Sequence, residues 1–215
     1  MSGDEIFEDQ MTAGSAVTPS SSANDETGAG AIGANDTRLD GVVVGFVVAN
    51  EGVEQVELTA PWESVLSSGG RPVLIATTDE NVQARRHLDP GDVFEPDLTT
   101  ADAVATDYDA LVLPGGAVNA DTLRTDSDAV ELVRSFAELG RPLAAICHAP
   151  WMLAESGIAS GKHLTSWPSL RTDLQNAGAS WTDEEVVVDG TLITSRKPDD
   201  LDAFCGELLD HLARR

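Results

Sequence analysis

The chain has 215 residues, 13 Lys and Arg against 37 Asp and Glu, a formal charge of −24 and two cysteines. That length buries a core in one α/β domain without staples. Two cysteines exclude a disulfide-stapled scaffold and a four-cysteine zinc site. The charge argues against a direct grip on nucleic acid, whose phosphates need Lys and Arg. No apolar run approaches the ~20 residues of a membrane span. The first residues show neither the basic nor the apolar region of a secretory leader, so a cytoplasmic protein is expected.

Only two of the basic residues are lysines, Lys162 and Lys197, and aromatic residues make up 5% of the chain. So large a net charge destabilises a compact fold by self-repulsion at ordinary salt. At molar salt the Debye length falls to about 3 Å and the repulsion is screened. The composition therefore predicts a halophilic protein that folds weakly in dilute buffer.

Residues 1–39 are rich in Ser, Ala, Gly, Thr and acids, with one Arg and one Phe and no apolar period. Such a segment cannot bury enough surface to offset its ordering entropy. It reads as a disordered acidic tail, with the folded domain over 40–215. The run 41–50, GVVVGFVVAN, reads as a central parallel strand. Val56, Leu58, Trp62, Val65 and Leu66 give 54–68 a helical spacing, stopped at Ser68-Gly69-Gly70. Residues 72–78 read as a second strand, and 80–100, with Asp89-Pro90-Gly91-Asp92, as a small hairpin or irregular excursion. A third strand, 109–116, ends in Pro114-Gly115-Gly116. One apolar face over 126–139 predicts a helix stopped at Gly140. A fourth strand, 142–146, runs into a short helix over CHAPWMLAESG. Residues 168–177 read as another helix, and 185–195 as a hairpin around Asp189-Gly190. An amphipathic helix over 199–213 closes the chain. Strands alternating with helices predict an α/β fold. It is a doubly wound, mostly parallel sheet with helices on both faces, a single-domain flavodoxin-like sandwich with a small hairpin.

Ligands of an open parallel sheet bind beyond the carboxyl ends of its strands. There the chain places Glu51, Glu54 and Glu57, then Gly115 and Gly116, then Cys147 and His148. A carboxyl, backbone N–H groups freed by glycine, and a thiol beside an imidazole are the parts of a cysteine-nucleophile site. Cys147 falls between a strand and a helix start, where the helix N-terminus favours the thiolate. The sequence does not choose among the three glutamates, each of which also reads as solvated acidic surface. Gly115-Gly116 alone is a plain turn; beside a nucleophile it offers an oxyanion site. Cys205, in the last helix, reads as a small hydrophobe. His87, His163 and His211 read as surface or hairpin residues, and Arg196 as a substrate anion site or, in preference, half of a structural ion pair. No spacing of ligands implies a metal.

Ala145-Ile146-Cys147-His148-Ala149-Pro150 resembles the A-I-C-H-G-P elbow of PfpI-type proteins in the ThiJ/PfpI superfamily, which has the class I glutamine amidotransferase-like fold. The resemblance continues through Leu153-Ala154-Glu155-Ser156-Gly157, Thr165-Ser166-Trp167-Pro168-Ser169, Asn176-Ala177-Gly178-Ala179, Val186-Val187-Val188-Asp189-Gly190 and Thr194-Ser195-Arg196. Upstream, the run from Gly52 to Leu58 resembles G-x-E-x-x-E-L, and Leu113-Pro114-Gly115-Gly116 resembles L-P-G-G. It spans about residues 41–213.

The resemblance implies Cys147 as nucleophile, Glu54 as the carboxyl hydrogen-bonded to it and His148 as acid/base. Gly115 and Gly116 would lie at the oxyanion, and Trp167 would wall the pocket or pack in the core. A carboxylate from a neighbouring subunit orients the histidine in such proteins, and Asp121 stands in that segment here. The implied activity is that of a deglycase or glyoxalase without a cofactor. It would act on glyoxal, methylglyoxal and their protein or nucleotide adducts, in a dimer or hexamer. An intracellular cysteine peptidase and a redox-sensing protein that uses Cys147 without turnover are the alternatives. The His-x-Glu pair of the related amidotransferases is absent.

Overall fold

The computed structural model describes residues 38–214. The expected tail lies outside the described residues except for its last two. Leu39 is buried, and its N–H donates to Ser68 O at 2.9 Å. The packed region therefore starts before the expected boundary at residue 40, because Leu39 plugs the end of the first helix beside Val65 and Gly70.

In chain order the elements are β1 (Val43–Val48), β2 (Glu51–Glu54), α1 (Gln55–Ser67), β3 (Arg71–Ala76), β4 (Val82–Arg86), β5 (Asp89–Phe94), β6 (Leu98–Thr99) and β7 (Ala110–Leu113). There follow α2 (Ala117–Leu123), α3 (Ser127–Glu138), β8 (Leu143–Ile146), α4 (Pro150–Glu155), β9 (His163–Leu164), α5 (Arg171–Asn176), β10 (Ser180–Trp181), β11 (Val186–Asp189), β12 (Leu192–Ser195) and α6 (Leu201–Ala213). Seven strands form one sheet in the order β11-β12-β8-β7-β1-β3-β6. Its pairings are parallel except β11 with β12, a hairpin that turns at Asp189-Gly190 with Gly190 at φ 67°.

Side chains alternate across the pleat. Val44, Phe46 and Val48 of β1 and Ile146 of β8 join one core with Leu58 and Val65 of α1 and Phe204 and Leu208 of α6. Val47, Leu111, Leu113 and Leu143 face the other way, onto Leu132 and Phe136 of α3, Leu153 of α4 and Leu174 of α5. Both faces are thus covered, which is why the central strands read as unbroken apolar runs. Asp126 caps α3 by accepting the Ala129 N–H at 2.7 Å.

The excursion over 80–100 is a hairpin of β4 and β5, with β2 added parallel to β4. The expected helix over 168–177 is divided into a 3-10 turn, Pro168–Leu170, and α5. α2 and the two-stranded β9–β10 ribbon had no signal strong enough to predict. No helix among the described residues is long and apolar enough to cross a membrane.

Candidate active site

β1, β7 and β8 run parallel, so the segments that follow them meet at one edge of the sheet. Cys147 comes directly after β8 with φ 63°, a left-handed conformation that costs a non-glycine residue about 1–2 kcal/mol. Its backbone is held on both sides: its N–H donates to Ser195 O at 3.0 Å, and its carbonyl accepts the Trp167 N–H at 2.8 Å. The turn leaves the side chain 6% exposed, with Sγ 3.2 Å from His148 Nδ1. The backbone N–H groups of Gly116 and His148 face the sulfur and favour its charged form. Burial, and then the charge of Glu57, push the Cys147 thiol up.

Glu57, in the first turn of α1, is fully buried. Its Oε2 accepts the Gly115 N–H at 3.0 Å. Oε1 has no partner that meets hydrogen-bond geometry, yet the carboxyl lies against Cys147 closely enough to couple with the thiol. Burial raises the Glu57 carboxyl from the ordinary 4.5 to about 8, against the lowering effect of its contacts with Cys147 and Gly115. At neutral pH the acid is therefore protonated. The charge that opposes thiolate formation is then absent, and the Oε1 proton has the sulfur as its nearby acceptor.

Glu57 thus holds the position that the resemblance gave to Glu54, and the assignment is corrected by one helical turn. Glu54 is the last residue of β2, with φ −68° and ψ 115°, so its side chain leaves in another direction. Its Oε2 accepts the His87 N–H at 3.0 Å. The two glycines also separate. The Gly115 N–H is occupied by Glu57, which leaves Gly116 as the glycine N–H at the sulfur and corrects the expectation of a paired oxyanion site. Both positions require glycine: a Cβ on Gly115 would lie 2.3 Å from Glu57 Oε2, and one on Gly116 2.1 Å from Gly52 O. Gly116 also sits at φ 94°.

Asn119 is a further buried polar residue that the sequence did not single out. Its Oδ1 accepts the Ala49 N–H at 2.7 Å, and its Nδ2 donates to Pro114 O at 2.9 Å and Gly115 O at 3.0 Å. It ties the end of β1 to the glycine turn.

His148 is held by aromatic rings. Trp167 stacks on it at 5.6 Å with planes 23° apart, and Trp151 meets it edge-on at 5.7 Å. Burial lowers its pKa below the ordinary 6.5. Among the described residues no carboxylate is hydrogen-bonded to His148. Asp121 lies on the exposed side of α2.

These groups open into a cavity of about 250 Å³, lined by Glu54, Glu57, His87, Leu88, Gly116, Ala117, Cys147, His148, Trp167 and Pro198. Trp167 is therefore a wall of the cavity, and His87, expected as a surface histidine, stands at its edge. Larger hollows near Trp62 and near Arg124 contain neither cysteine. Arg196 forms a bidentate pair with Asp200 at 2.8 and 3.0 Å and a further bond to Asp183 at 2.7 Å, which fixes the turn that carries Pro198. Cys205 is buried between α6 and α1, beside Ser64. Among the described residues no three His, Cys, Asp or Glu side chains gather as a metal site would require.

Residues 43–211 match the model of the DJ-1/PfpI family. The deglycase PfpI of Pyrococcus furiosus is 40% identical over 164 residues, covering 76% of this chain and 95% of that protein. YraA of Bacillus subtilis, which carries a provisional cysteine-protease name, is 37% identical over 166 residues, covering 77% and 96%. The crystal structure of Drosophila melanogaster DJ-1beta superposes with a TM-score of 0.73 at 34% identity, covering 81% of this chain and 91% of that one.

Proposed function

The chain belongs to the DJ-1/PfpI family, and from that premise we propose a cysteine-dependent deglycase of glyoxalase type. Its substrates are glyoxal, methylglyoxal and their adducts on amines. The observation that carries this reading is the setting of Cys147. It is a strained cysteine at a strand–helix junction, with a protonated carboxyl, backbone N–H donors and a neutral imidazole around one sulfur.

In methylglyoxal the Cys147 sulfur adds to the aldehyde carbon as His148 Nδ1, 3.2 Å away, takes the thiol proton and passes it to the new oxyanion, which forms at the N–H groups that had faced the sulfur. His148, neutral because it is buried, removes the proton from that carbon, and the neighbouring carbon receives one in return. The product is a 2-hydroxy thioester on Cys147. Water hydrolyses it, so that one methylglyoxal and one water give lactic acid and the free thiol. With an amine adduct the same attack releases the amine. Every oxidation and reduction is internal to the substrate, so the scheme requires no cofactor.

The test is methylglyoxal consumption in molar KCl, wild type beside Cys147→Ala, with lactate as the measured product. Lactate from the wild type and none above background from the variant supports the reading. No lactate from a folded, reduced wild type overturns it. The name of the B. subtilis relative makes a peptidase the second reading, tested by casein cleavage with the same pair of proteins.

A further inference from the structure

The cavity over Cys147 has an apolar mouth in a protein whose surface is acidic. Leu88 is 92% exposed, the most exposed large hydrophobic side chain among the described residues, yet it lines this cavity. Trp167, 38% exposed, faces the same space, with Ala117 and Pro198 between. An isolated exposed leucine is unremarkable, but this one is held in place. It follows His87, whose φ of 58° turns the β4–β5 hairpin. The His87 N–H is bonded to Glu54, at the entry of α1. Gln55 bonds Asp92 through both ends of its amide, at 2.6 and 2.8 Å, and Gln83 Nε2 donates to Gly91 O at 2.9 Å. The hairpin tip is thus stapled to the helix that carries Glu57. Two acids line the cavity; Glu57 is protonated at neutral pH, so the carboxylate there is Glu54, and among the described residues no Lys or Arg joins it.

We propose that Leu88 and Trp167 form a specificity wall over Cys147. The wall selects neutral carbonyl compounds bearing an apolar or aromatic substituent, such as an aryl-substituted α-oxoaldehyde, and rejects anionic ones such as glyoxylate. The substrate class rests on the deglycase reading, while the wall itself does not. A flat substituent on the carbonyl would lie between the leucine and the indole and remove both from water. An anion would meet the Glu54 carboxylate with no cation to pair it.

The wall can be tested without turnover, by alkylation of Cys147 followed by peptide mass spectrometry. Three reagents of one mechanism are compared: phenacyl bromide, iodoacetamide and iodoacetate. In each the thiolate sulfur forms a bond to carbon as halide leaves, so the thiolate fraction cancels when rates at one cysteine are divided. N-acetylcysteine gives the reference ratios. The phenacyl-to-iodoacetamide ratio at Cys147 is expected to exceed the reference severalfold, and Leu88→Ser is expected to lower it by about three- to tenfold. The iodoacetate-to-iodoacetamide ratio is expected below the reference. Leu88 is exposed, so the variant keeps the fold.

A phenacyl ratio at the reference value, or one unmoved by Leu88→Ser, overturns the proposal. So does a Cys147 that phenacyl bromide fails to reach, or an iodoacetate ratio at the reference. If the ratios behave as expected while no dicarbonyl is consumed, the deglycase reading falls and the wall stands.

Discussion

Glu57 is the residue on which the site's chemistry and its energetic cost meet. Its carboxyl is raised to about 8 by burial, whereas in the unfolded chain it titrates near 4.5. Between those values the folded protein holds a proton that the unfolded chain has released. Stability therefore falls as pH rises through that window, by up to about 1.4 kcal/mol per pH unit from this group. The loss is absent below 4.5 and complete above 8. Glu57→Gln places an amide where the acid stood and removes the titration. Denaturant unfolding between pH 5 and 8 is expected to show a flatter profile for the variant, with the variant the more stable at pH 8; parallel profiles would rule this out. Glu57→Leu instead removes the protonated carboxyl beside the sulfur, and iodoacetamide alkylation of Cys147 at pH 7 should slow about tenfold or more. Of the site, Cys147 and His148 were legible because a strand–helix junction can be read from apolar pattern alone. The choice of glutamate was not. It depends on where β2 ends and α1 begins, and a boundary moved by a residue or two sends a different side chain inward.

At the scale of elements, the site is a set of junctions, and the glycine turn after β7 is the tightest of them. Gly116 has φ 94°, its missing Cβ faces Gly52 O, and its carbonyl accepts the Ala120 N–H that begins α2. Gly116→Ala must therefore move backbone against backbone as well as adopt a left-handed conformation. We expect a loss of about 2–4 kcal/mol in denaturant unfolding. Methylglyoxal turnover is expected to fall further than the unfolded fraction explains, because the Gly116 N–H leaves the sulfur. A variant as stable and active as the wild type would show that the turn is loose. Other elements were readable for the opposite reason: α3 and α6 carry a helical period, and β1, β3 and β8 are unbroken apolar runs too short for a helix. α2 carries none, since Ala117–Leu123 has no apolar stripe and its place is set by Asn119 reaching back to β1. β2 was hidden because its residues looked like a polar loop, and it is a strand only through pairing with β4, where Glu51 meets Gln83 and Glu54 meets Arg85, a contact distant in sequence.

At the scale of the whole molecule, charge outweighs any single site. Arg85, Arg86, Arg124, Arg134, Arg196, Arg214 and both lysines already pair with carboxylates. Residues 1–37 hold seven of the 37 acids and no Lys or Arg, so 30 acids and 13 bases, a charge of −17, fall on residues 38–215. Salt acts on this surface in two opposed ways. It weakens the exposed ion pairs, each worth about 0–1 kcal/mol. It also screens the repulsion among the unpaired acids, which act on every neighbour within a Debye length, about 10 Å at 0.1 M and about 3 Å at 1 M. The acids outnumber the pairs and their repulsion is summed over many neighbours, so screening should win. Thermal unfolding in 2 M KCl is expected at least about 10 °C above that in 0.1 M KCl. Most of the rise should come below about 1 M, because screening saturates there while solvent-exclusion effects continue to grow. A midpoint indifferent to KCl would mean that the acidic surface is spaced widely enough to carry its charge unscreened. A rise that begins only above 1 M would assign the effect to exclusion of the salt from the protein surface.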